Sequence, residues 1–178
     1  MTNVMDKCAV ARDNAVKGSF VPLWRRKPMS TSTVANIMTV NPVTIEPTNS
    51  IATAIELLRK GGFRRLPVME NNRLVGIVTD RDLRLAANSP VVASEPWYDS
   101  FLLQYIDVRS CMTKSPITVT PRTSIIDAAR LMIKHKIGGL PVMEGDRLVG
   151  IVTETDMLNY LITCLEAQEC TPFPGEPP

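Results

Sequence analysis

A chain of 178 residues that is 44% hydrophobic but only 5% aromatic has material for one domain or two small ones sharing a core, and that core must be aliphatic. Its 20 basic and 18 acidic side chains leave a formal charge of +2, too weak a field to hold a polyanion, which argues against DNA or RNA as partner. Four cysteines without CxxC spacing and one histidine argue against a zinc centre; no run reaches the ~18 apolar residues of a membrane span, so a reduced, cytoplasmic protein without membrane insertion is expected.

Residues 1–33 carry a basic WRRKP cluster and a Ser/Thr run with weak periodicity, and read as an N-terminal extension, either partly ordered against the body or flexible. From Met38 onward the sequence MTVNPVTIEPTNSIATAIELLRKGGFRRLPVMENNRLVGIVTDRDLRL returns without a gap as MTKSPITVTPRTSIIDAARLMIKHKIGGLPVMEGDRLVGIVTETDMLN, at a constant offset of 74. Such self-similarity marks two copies of one supersecondary unit, and two copies bury their apolar faces best by packing on each other about a pseudo-twofold axis. The organisation is then a first repeat over 34–89, a linker over 90–107, a second repeat over 108–164 and a tail over 165–178.

Each repeat reads β-α-β-β-α, an α+β class. Pro42-Val43-Thr44-Ile45 is a short extended piece. A helix starts near Asn49 or Ser50, buries Ile51, Ala54, Ile55 and Leu58, and stops at Gly61-Gly62. Its counterpart starts at Thr123 or Ser124 and buries Ile125, Ala128, Ala129 and Met132. A hairpin follows, Leu66–Met69 with Leu74–Val78, turning through Glu70–Arg73; in the second repeat the turn is Glu144–Arg147. In the linker, Trp97, Tyr98, Phe101, Leu102 and Tyr105 read as an apolar anchor.

GIVTDRD and GIVTETD end the hairpins. Thr79 and Thr153 stand where strand becomes helix, with Asp82 and Asp156 three residues on, the spacing of a capping box with a shorter acid. The same geometry places a hydroxyl and a carboxylate beside free backbone donors, where a carboxylate can accept from two ribose hydroxyls. A cleft between two related units would add aliphatic walls for a planar base. Both readings stand on spacing alone.

The combination of MTxxPxT, LPV and GIVTxxD, twice over residues 34–164, resembles a tandem CBS-domain pair (Bateman module), the family named after the regulatory domain of cystathionine beta-synthase. The resemblance implies a non-catalytic sensor binding adenosine-containing ligands: AMP, ADP or ATP first, S-adenosylmethionine behind them. It also implies assembly as a homodimer. Each cleft in such modules joins the ribose motif of one copy to the base-binding strand of the other. One cleft here would pair Ile77, Thr79, Arg81 and Asp82 with Thr113, Pro116, Thr118, Ile137 and Gly138. The other would pair Ile151, Thr153, Thr155 and Asp156 with Thr39, Pro42, Thr44, Phe63 and Arg64.

Arg65 precedes LPV where Gly139 stands in the second copy, and is expected, with Arg81, to face a phosphate in the Asp82 cleft. That cleft is therefore expected to prefer phosphorylated adenosine, leaving the Asp156 cleft weaker unless it recruits Arg64. The rival reading is a protein-interaction module regulating a separate enzyme or transporter, its Thr-xx-Asp pairs serving only as helix caps. His135, near a helix end, reads as structural or solvated; Cys111 beside Met112-Thr113 reads as conceivably redox-sensitive. No Ser/His/Asp cluster, phosphate-cradling Gly-rich loop or metal constellation suggests an enzyme.

Overall fold

The computed structural model describes residues 32–87 and 103–169. In chain order the elements are β1 (Thr39–Val40), α1 (Ile51–Gly61), β2 (Arg65–Glu70), β3 (Arg73–Thr79) and α2 (Asp80–Ala87). The same series returns as β4 (Thr113–Lys114), α3 (Ile125–His135), β5 (Gly139–Glu144), β6 (Arg147–Thr153) and α4 (Glu154–Glu169). The α+β expectation of two repeats is borne out.

Local chemistry explains the helix limits. The Ser50 hydroxyl accepts from the Thr53 N–H at 3.2 Å and the Ser124 hydroxyl from the Asp127 N–H at 3.0 Å, satisfying donors that the first turn leaves free. Gly62, at φ 65°, turns the chain out of α1, where glycine has no Cβ to clash. Lys136 takes the same left-handed role after α3 at φ 54°. Ile51, Ala54 and Leu58 are buried as expected, but Ile55 is 37% exposed and Ala129 only half-buried, because each helix presents a narrower stripe than the sequence pattern offers. The β2–β3 turn narrows to Asn71-Asn72, both at positive φ, the geometry that matches strand twist in a two-residue hairpin.

One expectation fails for an identifiable reason, and a second departs at the one residue described. The paired strand is Thr39–Val40, not Pro42–Ile45: Asn41 at φ 48° turns the chain, Pro42 has no N–H to donate, and only Ile45 regains a bridge, to Val68. Of the linker anchor, Trp97, Tyr98, Phe101 and Leu102 lie outside the described residues. Tyr105 is 70% exposed, and the groups packing on the first core are Leu103 and Ile106.

The repeats exchange strands. One sheet has the order β2-β3-β4 and the other β1-β6-β5, so each hairpin takes its third strand from the other repeat. Thr39 lies opposite Ile151 and Thr113 opposite Ile77. The exchange extends into the cores: fully buried Val34 belongs to the cluster around Leu140 and Val152, and fully buried Val108 to the one around Leu66 and Val78. Backbone bonds secure it, from Val34 N–H to Thr123 and from Ile51 N–H to Ile106, each at 2.8 Å. Gly150 and Gly76 permit the close approach; a Cβ at either would lie 3.0 Å from the carbonyl oxygen of Thr39 or Thr113 and nearer still to a methionine sulfur.

Candidate ligand cleft

The exchange sets each Thr-xx-Asp motif beside a strand of the opposite repeat. At the start of α2, Asp82 Oδ2 accepts from the Thr79 N–H at 2.9 Å and from its hydroxyl at 2.7 Å. At the start of α4, Asp156 Oδ2 accepts from the Thr153 N–H at 2.8 Å and hydroxyl at 2.7 Å. The capping reading is therefore correct in both copies. It engages Oδ2, and among the described residues no hydrogen bond occupies Oδ1 of either aspartate.

Over Asp156 the described residues enclose a cavity of about 360 Å³, within the range of small-molecule sites. Thr39 and Pro42 from the β1 region, Phe63 and Arg64 from the turn into β2, and Ile151, Thr153, Thr155 and Asp156 from β6 and α4 all line it. These are the residues expected there, with one exception. Thr44 lies instead along a separate polar hollow with Glu46, Asn49 and Asn71, although its neighbours Pro42 and Val43 line the cavity. Asn41, Val43 and Gly62 also line the cavity; the only sequence signal for them is position next to expected residues.

Arg65 is the main relocation. Its backbone stands opposite Thr79 of the Asp82 motif, yet its side chain lines the Asp156 cavity. The guanidinium lies against Gly138 and Gly139, where a Cβ at Gly139 would overlap Nη1 and one at Gly138 would sit 2.7 Å from Nη2. Burial first, then the Arg64 charge, push this guanidinium below its ordinary pKa, while Glu154 and Asp156 pull it back up. Nη1 is buried with no hydrogen-bond partner, a costly state for a charged donor. Arg64 is tied across the repeats by Nη2, which donates to the Thr155 hydroxyl at 3.3 Å. The phosphate preference expected of the Asp82 cleft thus loses its basis in Arg65.

Phe63 owes its position to Gly61: the ring lies where any side chain at residue 61 would stand. The second repeat has His135 and Ile137 at these places, and Ile137 packs on the second core. On the Asp82 side, Ile77 and Thr113 are strand partners, Arg81 and Thr118 are exposed, and Pro116 is half-buried. Cys111 adjoins this side; burial, then the Asp82 charge, push its thiol up. His135 is exposed in the last turn of α3. Among the described residues no group of three or more His, Cys, Asp or Glu could hold a metal ion, and no helix is long and apolar enough to cross a membrane.

The CBS domain profile matches residues 34–89 and 108–163. A CBS domain-containing protein of Dictyostelium discoideum is 37% identical over 135 residues, 75% of this chain and 93% of that protein. The crystal structure of CBSX2 in complex with AMP superposes with a TM-score of 0.61 at 32% identity, covering 75% of this chain and 98% of that one. The CBS domain pair of protein MJ0100, in complex with 5′-methylthioadenosine and S-adenosyl-L-methionine, gives a TM-score of 0.63 at 26% identity, with coverage of 75% and 98%.

Proposed function

The chain belongs to the CBS domain family as a tandem pair, and on that premise we propose that it is a non-catalytic sensor whose Asp156 cavity binds a phosphorylated adenosine, AMP, ADP or ATP. The observation that carries this reading is the set of groups around one cavity: a carboxylate whose cap engages Oδ2, apolar walls at Val43, Phe63 and Ile151, and two arginines, Arg64 and Arg65. Ribose hydroxyls would bond Asp156, the base would lie against the apolar walls, and the phosphate would meet Arg65 and Arg64. S-adenosylmethionine, cationic at the corresponding end, fits two arginines less well.

AMP in the CBSX2 structure and S-adenosylmethionine in the MJ0100 pair support an adenosine-containing ligand of this class. The ligand would act by favouring one of two packings of the module, which a target would read. Calorimetric titration of nucleotide-stripped protein with AMP, ADP, ATP, adenosine and S-adenosylmethionine tests the proposal. Saturable binding of the phosphorylated ligands, lost in Asp156→Ala, is expected. Folded protein that binds none of them would leave the protein-interaction reading in its place.

A second surface supports assembly. Leu158, Leu161, Ile162 and Leu165 lie on one face of α4, each more than half exposed. This stripe suits the helix of a second copy, so the module is proposed to act as a homodimer.

A further inference from the structure

Arg65 and Gly139 are the same position of the two repeats, 74 residues apart, each the first residue of its hairpin and each opposite the capping threonine of its own motif. They are also in contact, because the Arg65 guanidinium fills the space a Gly139 side chain would need. A residue that touches its own repeat mate lies at the pseudo-twofold axis. There is room there for one long side chain and not for two, so the glycine is the steric condition for the arginine.

We propose that Arg65 and Gly139 form a symmetry-breaking pair that supplies the two clefts with a single axial cation and commits it to the Asp156 cavity, so that each chain takes one phosphate-bearing adenosine ligand there with preference. This rests on the reading of that cavity as an adenosine site.

The direction of the commitment is visible in the surroundings of the guanidinium. The carboxylates that act on it are Glu154 and Asp156, both of the second motif. A Cβ at Gly138 would lie 2.7 Å from Arg65 Nη2 and 2.8 Å from Glu154 Oε2, so cation and carboxylate converge over that glycine. Nη1 is sealed against Gly139 without an acceptor, so a phosphate would meet the guanidinium from the side on which Arg65 lines the cavity. The adjacent pair sharpens the asymmetry. Arg64 reaches Thr155 of the same cavity, whereas its repeat mate is Gly138. The Asp82 side has no arginine at these two positions; its cations are Arg81, an exposed residue of its own helix, and Lys136, the exposed repeat mate of Gly62. The sequences Arg64-Arg65 and Gly138-Gly139 are thus the two halves of one device: charge on one side of the axis, vacated space on the other.

The decisive variant exchanges the pair, Arg65→Gly with Gly139→Arg, and is titrated with AMP and with adenosine in the otherwise native chain and with Asp82→Ala or Asp156→Ala added. In the native chain AMP should bind on the order of 10-fold or more tighter than adenosine, the effect of a charge-assisted bond, and this preference should vanish with Asp156→Ala but survive Asp82→Ala. In the exchanged protein the dependence should reverse, with the preference following Asp82. A preference that stays with Asp156 after the exchange, or two equal phosphate-preferring sites in the native chain, overturns the proposal while leaving the adenosine reading intact. Arg65→Gln, which keeps the length and removes the charge, provides a second reading should the exchanged protein not fold: with Arg64 still present the preference for AMP over adenosine should shrink severalfold, and equal loss for both ligands overturns the proposal. Folded native protein that binds neither AMP nor adenosine removes the underlying reading and this proposal together.

Discussion

Replacing Asp82 or Asp156 by alanine separates the two roles that one side chain holds. Each carboxylate uses Oδ2 to accept a threonine N–H and hydroxyl, with lengths in the two copies agreeing to within 0.1 Å. Without ligand the two variants should therefore lose similar stability, about 1 kcal/mol for a lost cap, or roughly 2–4 °C in Tm for a protein of this size. With AMP at about 100 times its Kd, the native protein gains about 2.7 kcal/mol, a rise of roughly 5–10 °C. Asp82→Ala should retain most of that rise, whereas Asp156→Ala should lose it, because only the latter removes the acceptor lining the cavity beside Arg65. Thermal unfolding followed by circular dichroism, with and without AMP, reads both effects. An equal AMP-induced rise in both variants would refute the assignment of the ligand to Asp156, and an unchanged Tm without ligand would refute the capping role.

Gly150→Ala should destabilise by about 1–3 kcal/mol in urea unfolding, the range for overpacking, because its Cβ would meet the Thr39 carbonyl oxygen at 3.0 Å and the Met38 sulfur at 2.7 Å; no loss would mean the exchanged strand is not held this closely. Cys111, with its thiol pKa raised by burial and then Asp82, holds less thiolate at pH 8 than an unperturbed cysteine. Its iodoacetamide labelling, followed by peptide mass spectrometry, should be slow and become faster in Asp82→Asn, which removes the repelling charge; an unchanged rate would show that the charge does not reach the sulfur. Leu161→Glu, on the exposed stripe of α4, should convert a homodimer to monomer in light scattering after size exclusion; a variant that remains dimeric places the interface elsewhere.

The sequence made the repeat legible because equivalent residues do equivalent work: Ser50 and Ser124 cap α1 and α3, and Thr79-Asp82 and Thr153-Asp156 cap α2 and α4. The strand shift from Pro42–Ile45 to Thr39–Val40 was hidden by the turn at Asn41, whose positive φ no apolar pattern announces. That β1 joins β6 and β4 joins β3 was not legible, for with near-identical hairpins in both repeats the residues themselves give no preference between pairing within a copy and across copies; the family resemblance implied only that each cleft draws on both copies. Arg65 was misplaced for a related reason. Its backbone register does put it beside Thr79, and the direction of its side chain is decided by the empty space over Gly139, a contact across the axis that becomes visible only once both copies are packed.

The central claim is a phosphorylated adenosine held over Asp156, and the most direct test is diffraction from crystals grown with AMP. The account predicts ribose hydroxyls on Asp156 Oδ1 and the phosphate against the guanidinium groups of Arg64 and Arg65, which line the cavity. AMP bound only over Asp82, or with its phosphate turned away from both Arg64 and Arg65, would contradict it.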